Sequence, residues 1–328
     1  MATDSAPLNC PEGWLDPGTF ARQWTLIRPA FLAALHRHRI PAARADELAR
    51  VYLPLAAWVA AQKQDGPLIV GINGAQGSGK STLCDFLRLI LEKCHGQRVA
   101  VLSIDDLYRT RAERLALARE VHPLLITRGV PGTHDVELGL ATLQRLRTAT
   151  ETDRTPLPCF DKASDDRRPT ADWPVYSGRP DILLFEGWCV GSSPQPEAAL
   201  CEPVNALERD EDADGRWRLF VNRQLDTDYR RLFAELDRLI FLRVPGLDRV
   251  LEWRTLQEHK LAATATAGGH IMDAAAIRRF VMHYERLTRH TLADLPARAD
   301  VTLSLNDDHG FGPIAFRAMG APPGVETL

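Results

Sequence analysis

The run Gly74-Ala75-Gln76-Gly77-Ser78-Gly79-Lys80-Ser81, with Thr82 behind it, has the spacing GxxxxGK[ST]. Residues of these types at this spacing make a cradle for phosphates. Glycine lets the backbone pass close to an anion and turn its N–H groups toward it. Where such a run opens a helix, the positive end of the helix dipole strengthens the same field. Gly74 to Thr82 would then wrap the nucleotide tail, Lys80 would reach the β- and γ-phosphates, and the Ser81 hydroxyl would ligate Mg²⁺. A glycine-rich turn can match the pattern by chance. Here the apolar run LIVGIN (68–73) precedes it and the helix-like STLCDFLRLILEKC (81–94) follows, which is the setting the mechanism requires. ATP and Mg²⁺ are the expected cofactors.

Carboxylates close two other apolar runs. Ser103-Ile104-Asp105-Asp106-Leu107-Tyr108 ends VAVLSI (99–104). On a strand beside the cradle strand, Asp105 would face the γ-phosphate, there to accept the proton of an attacking hydroxyl or to hold Mg²⁺ through water. The plainer alternative is that Asp105 or Asp106 caps the next helix. Leu183-Leu184-Phe185-Glu186 ends DILLFEG (181–187), and Glu186 occupies the place of the acidic residue that serves Mg²⁺ in such sites. It would meet the metal or the hydroxyls of a substrate, or else form a structural ion pair. Neither an NKxD-type guanine signature nor LSGGQ is present, which weakens GTPase and ABC-transporter readings.

Taken in order, GAQGSGKST, SIDDLY, GTHD (132–135), LPCFDKA (157–163), LLFEGW and EWR (252–254) resemble the plant-type D-glycerate 3-kinase family. That family includes bacterial kinase-like members and is related to phosphoribulokinase and uridine kinase; the similarity runs from about residue 68 to 307. The resemblance implies transfer of the ATP γ-phosphoryl group to D-glycerate, giving 3-phosphoglycerate. It implies Asp105 as general base and His134 and Asp135 lining the acceptor site. Asp106 and Tyr108 of SIDDLY would join them, with Asp161 and Lys162 close by and Arg254 on a mobile lid. Glycerate is a small carboxylate with two hydroxyls, so its site needs a cation, preferably a forked arginine, together with acceptors. Lys162, Arg167 and Arg168 offer the charge, while His134, Asp135 and Asp161 offer acceptors. Asp165-Asp166-Arg167-Arg168-Pro169-Thr170 departs from the plant pattern, which has a longer glycine-bearing stretch with GRGDRA. That segment would touch the acceptor, so a nucleoside, pantothenate or another sugar acid stays open on the same architecture. Phe160 is the single aromatic residue in 129–170, too little stacking surface to favour a nucleoside. A P-loop ATP-binding regulatory protein is the rival from another class; it would turn over ATP without an added acceptor. Tyr284, Arg286 and Arg289 read as ordinary helix packing, outside the site.

These residues need a scaffold. LIVGIN, VAVLSI, DILLFEG, LDRLIFLRV (236–244) and DVTLSL (300–305) read as buried strands alternating with helices, notably AAAIRRFVMHYERLTRHTLADL (274–295). The expected fold is α/β, a doubly wound parallel sheet of the P-loop NTPase type with ligands at the carboxyl ends of its strands. Two helical patterns before Asp65-Gly66-Pro67 make residues 1–66 an N-terminal helical extension to a kinase domain at 67–328. Within that domain 150–180 is the acceptor loop and about 245–270 the lid, with Lys260 on its helical stretch and ATATAGGH (263–270) as hinge. The charged run 196–220 reads as solvated surface. A net charge of −3 supplies no global field for nucleic acid or an anionic membrane, so the partners expected are small molecules, with no nucleic acid and no membrane. The polar N-terminus lacks a signal-peptide pattern, and the six cysteines are scattered without a CxxC pair, pointing to a cytoplasmic protein with reduced thiols.

Overall fold

A computed structural model describes residues 15–262 and 273–317, the side chains of 256–262 excepted; the expected hinge at 263–270 lies outside the described residues. α1 (Pro17–Arg37) starts under Asp16, whose carboxylate accepts from the Thr19 N–H, with Pro17 at the first helical position. α2 (Ala45–Ala61) follows and turns an almost wholly apolar surface inward. Both lie on α3 (Lys80–His95), the helix that opens from the glycine-rich loop. Phe86 of α3 stacks against Phe31 at 4.4 Å and Tyr52 at 5.2 Å between ring centroids. The same buried cluster runs on through Val70, Ile72, Leu184 and Leu303, so the N-terminal helices extend the core that covers one face of the sheet.

After β1 (Leu68–Gly74) and β2 (Val99–Ser103) come α4 (Arg111–Glu120) and α5 (Val136–Thr148). The expected acceptor loop holds β3 (Arg154–Pro156), β4 (Phe160–Asp161), β5 (Asp166–Arg167) and β6 (Val175–Ser177), joined as two short antiparallel ribbons, β3 with β6 and β4 with β5. Then follow β7 (Ile182–Gly187), α6 (Ala206–Glu211), α7 (Arg216–Asp226), α8 (Asp228–Phe233), β8 (Arg238–Arg243), α9 (Leu247–Ala262), α10 (Ala274–Arg298), β9 (Val301–Leu305) and β10 (Phe311–Phe316). The main sheet has the order β10-β9-β8-β1-β7-β2, parallel except for β10. It is the doubly wound parallel sheet expected. Among the described residues no helix is long and apolar enough to cross a membrane.

Three details differ from the sequence reading. β2 is not beside β1; β7 lies between them, placing Glu186 opposite both Ile72 and Ser103. β10 was not among the expected strands; Gly312 and Pro313 interrupt its pattern, and an edge strand with a register shift between Phe311 and Ile314 tolerates them. The charged run 196–220 forms α6 and the start of α7, with Glu208, Asp212 and Arg218 buried. Glu208 pairs with Arg286 at 2.7 Å and Asp212 with Arg218 at 3.0 Å; mutual neutralisation is what lets such charges leave water.

Candidate active site

β1 brings the chain to the glycine-rich loop and α3 carries it away. Gly77 and Gly79 hold φ at +79° and +92°, a left-handed backbone that any side chain would strain. Gly74 is needed for space, since a Cβ there would lie 2.6 Å from Ser78 Oγ. Gly79 caps α3 without a side-chain acceptor, so the first-turn N–H groups from Lys80 to Thr82 receive no cap and suit an anion. Ala75 and Gln76 complete the loop, and Lys80 Nζ donates to the Ala75 carbonyl at 3.2 Å. The Thr82 hydroxyl faces the N-terminal extension, 3.3 Å from His38 Nδ1, while His38 Nε2 sits 2.9 Å from Asp85. Ser81 Oγ donates to Glu186 Oε1 at 2.8 Å. A hydroxyl and a carboxylate meeting beside a phosphate cradle form the sparse set of hard oxygens that Mg²⁺ takes along with water and phosphate.

Asp105 and Asp106 occupy a single 3₁₀ turn (Ile104–Leu107) past the end of β2. Thr110 and Glu113 cap α4 reciprocally, so neither aspartate serves as its cap. Asp105 accepts from Tyr108 Oη–H at 2.8 Å on one oxygen and from Lys162 Nζ at 2.6 Å on the other. Burial works to raise its carboxyl, but the Lys162 ammonium and these bonds override that and bring the pKa down to about 2. Asp106 moves the other way. Burial pushes it up to about 6 against a bond from the Phe160 N–H, with the Asp105 and Glu186 charges adding to the rise. Two adjacent carboxyls of divergent acidity at the mouth of a phosphate cradle can divide the tasks of proton acceptor and ligand between them.

The remaining expected residues have mixed placements. His134 is fully buried, stacks on Tyr108 at 4.7 Å, and has Nδ1 2.5 Å from the Tyr229 hydroxyl. Burial lowers its pKa to about 3, so the ring is neutral. Asp135 is the N-cap of α5, its Oδ1 accepting from the Leu138 N–H and its Oδ2 3.1 Å from Arg167 Nη2. Arg167 also donates to the Tyr108 carbonyl at 2.9 Å. Asp161 turns both oxygens into its own hairpin, onto Ala163 N–H and Ser164 O–H. Arg168 is exposed. Arg254 rises from α9 with its guanidinium 5.2 Å from the Phe280 ring centroid. The fold thus gathers the cradle, Ser81, Glu186, Asp105, Asp106, Tyr108 and Lys162, whereas Asp135 and Asp161 are engaged in local caps and turns. Tyr284, read from sequence as plain packing, donates to the Arg128 carbonyl at 2.9 Å and sits 4.8 Å from Trp188 at the wall of the same region. Arg128 itself went unremarked in the sequence, although it directly precedes the glycine-bearing run that ends in GTHD.

No protein-family model matches the chain. An uncharacterised kinase of Schizosaccharomyces pombe, mug58, is 34% identical over 225 residues, which cover 66% of this chain and 78% of that protein. The chloroplastic D-glycerate 3-kinase of Arabidopsis thaliana is 30% identical over 226 residues, covering 66% of this chain and 46% of the plant protein. The chain belongs to the D-glycerate 3-kinase family of P-loop kinases. A solved structure of D-glycerate 3-kinase from Cryptococcus neoformans agrees with this P-loop kinase at a TM-score of 0.68, with 26% identity, covering 81% of this chain and 99% of that one. As a member of this family the protein is an ATP-dependent kinase of small metabolites.

Proposed function

We propose that the protein transfers the γ-phosphoryl group of ATP to the 3-hydroxyl of D-glycerate, giving 3-phosphoglycerate and ADP. The observation that carries this reading is Asp105, an ionised carboxylate beyond the cradle whose partner, Lys162, comes from the acceptor loop. Asp105 accepts the proton of the attacking hydroxyl as the new O–P bond forms and the bond to the β-phosphate breaks. While Lys162 stays on Asp105 the carboxylate is a weak base; when a bound acceptor draws the ammonium away, the basicity of Asp105 rises. The backbone of Gly74, Ala75, Gln76, Gly77, Ser78 and Gly79, with the first turn of α3, holds the phosphates, and Lys80 leaves the Ala75 carbonyl for them. Ser81 and Glu186 would hold Mg²⁺, which when bound would neutralise the phosphate oxygens. Arg254 closes over the transferred group from the lid, and Asp106, Tyr108 and His134 line the acceptor side. The relatives named as D-glycerate 3-kinases support the choice of acceptor. A cytoplasmic location accords with the five described cysteines, all free thiols.

The test is ATP consumption by the purified chain with Mg²⁺, alone and with D-glycerate, scoring 3-phosphoglycerate. Glycerate-dependent product supports the reading. Stimulation by a nucleoside or pantothenate instead would reassign the acceptor, and turnover indifferent to any acceptor would favour a regulatory ATPase.

A further inference from the structure

Arg128, just before the glycine-bearing run that ends in GTHD, shares its carboxylate partner with a second arginine. Asp165, in the turn between β4 and β5, takes a left-handed backbone with φ of +55°. Its Oδ2 lies 2.9 Å from Arg114 Nη2, which also donates to the Asp165 carbonyl at 2.7 Å; its Oδ1 pairs with Arg128 Nη1. Arg114 is 1% exposed and also donates to the carbonyls of Arg109 and Ile126, so it belongs to the frame and neutralises Asp165 by itself. Asp135 is matched by Arg167, and Asp105 by Lys162. Asp165 thus has two arginines, and the Arg128 guanidinium can leave it to Arg114.

Its position suits a ligand. The guanidinium is 5.6 Å from the centroid of the Phe160 ring, and that ring is 5.2 Å from Tyr108, whose hydroxyl bonds Asp105. The side chain is 29% exposed. Its backbone is held from two sides. Tyr284 Oη–H donates to the Arg128 carbonyl and Trp188 Nε1–H to the Gly129 carbonyl, each at 2.9 Å. Gly129 itself has φ of +133°, and a Cβ there would lie 2.0 Å from Tyr284 Oη. A close approach that only glycine allows fixes the base of Arg128, leaving the far end of its side chain to reach.

The geometry points to Arg128 as the group that recognises the carboxylate of the acceptor, an inference that rests on reading this site as one acting on a hydroxy acid. A guanidinium offers parallel N–H groups that match a carboxylate bidentately, which the Lys162 ammonium does not. When Arg128 turns to the acceptor, Asp165 keeps Arg114, so no buried carboxylate is stranded.

The experiment measures ADP release by the full chain with saturating MgATP and varied D-glycerate. Glycerol, with the hydroxyls but no carboxylate, is the paired acceptor. Arg128→Met should raise KM for D-glycerate roughly 10- to 100-fold, the scale of hydrogen bonds to a charged group. KM for ATP should stay within about 2-fold of wild type, the preference for glycerate over glycerol should shrink in step, and Arg128→Lys should recover part of the loss. A folded Arg128→Met enzyme with wild-type KM and preference would overturn the assignment, as would an Arg128→Lys enzyme equal to Arg128→Met with both losing ATP affinity, which is what a purely structural role would give. If the wild type takes glycerol or another uncharged acceptor as readily as any hydroxy acid, the glycerate reading itself has failed and the assignment fails with it. If the wild type prefers a different hydroxy acid, the same comparison against the corresponding alcohol decides Arg128 alone.

Discussion

Asp105 and Asp106 are neighbours in sequence and opposites in acidity, and the difference comes from a residue distant along the chain. Asp105→Asn keeps the shape and removes the proton acceptor, so kcat should fall roughly 10²- to 10⁴-fold while the Kd for ATP, measured by equilibrium titration, holds. Near-normal turnover would strip Asp105 of its role. Lys162→Met tests the partner. In the wild type Asp105 is depressed to about 2 and stays ionised across any assay range, so it contributes no acid limb. Removing the ammonium takes away the main opposition to burial, which favours the protonated form, and leaves chiefly the Tyr108 hydrogen bond on the other side. The pH profile of kcat/KM for the acceptor should therefore fall off on the acid side at a higher pH in Lys162→Met than in wild type; an unshifted profile would show that Lys162 does not set the acidity of Asp105. Sequence supplied the types and order of these residues because the cradle and SIDDLY are local patterns. It could not supply the pairings, which join residues 57 positions apart, as Lys162 and Asp105 are. Asp135 shows the reverse case: a carboxylate just before the helical run VELGLATL is an N-cap by local rules, and the functional expectation obscured that.

At the scale of elements, the turn between β9 and β10 does something its sequence did not announce. His309 there has φ of +62°, stacks on Trp253 of α9 at 3.8 Å between centroids, and places Nε2 3.1 Å from the Gly77 carbonyl of the cradle. Arg44, between α1 and α2, donates to the His309 carbonyl at 3.1 Å. The N-terminal extension thus braces the turn, and the turn braces the outer side of the glycine loop. His309→Ala should raise KM for ATP by roughly 2- to 10-fold, the worth of one hydrogen bond, and leave KM for the acceptor nearly unchanged. Arg44→Ala should move KM for ATP the same way by less. Equal effects on both substrates, read from initial rates, would mean general loosening rather than a brace. The parallel strands were legible because each is a short apolar run between helical patterns. β10 and the ribbons of the acceptor loop were not, since strands of two or three residues, or one carrying Gly312 and Pro313, have too little alternation to read.

For the molecule as a whole, the question is whether the N-terminal helices unfold apart from the kinase core or with it. The break at Asp65-Gly66-Pro67 is visible in the sequence, but the face the helices bury is decided by residues beyond it, on α3 and β10. Phe31 of α1 is fully buried, 4.4 Å from Phe86 and 5.2 Å from Trp24 between centroids, and Tyr52 of α2 meets Phe311 of β10 at 5.6 Å. Phe86 sits on the helix whose first turn closes the phosphate cradle. A cavity at Phe31 is therefore felt by α3 as well as by α1. Truncating a buried phenylalanine typically costs about 3–5 kcal/mol, so Phe31→Ala should lower Tm by roughly 5–15 °C in a chain of this size. Because the core is continuous, calorimetry should show one transition displaced as a unit, with ATP affinity weakened below it as α3 loosens. If the helices were an independent appendage, Phe31→Ala would split off a small early transition and leave the main one, and ATP binding, where they were.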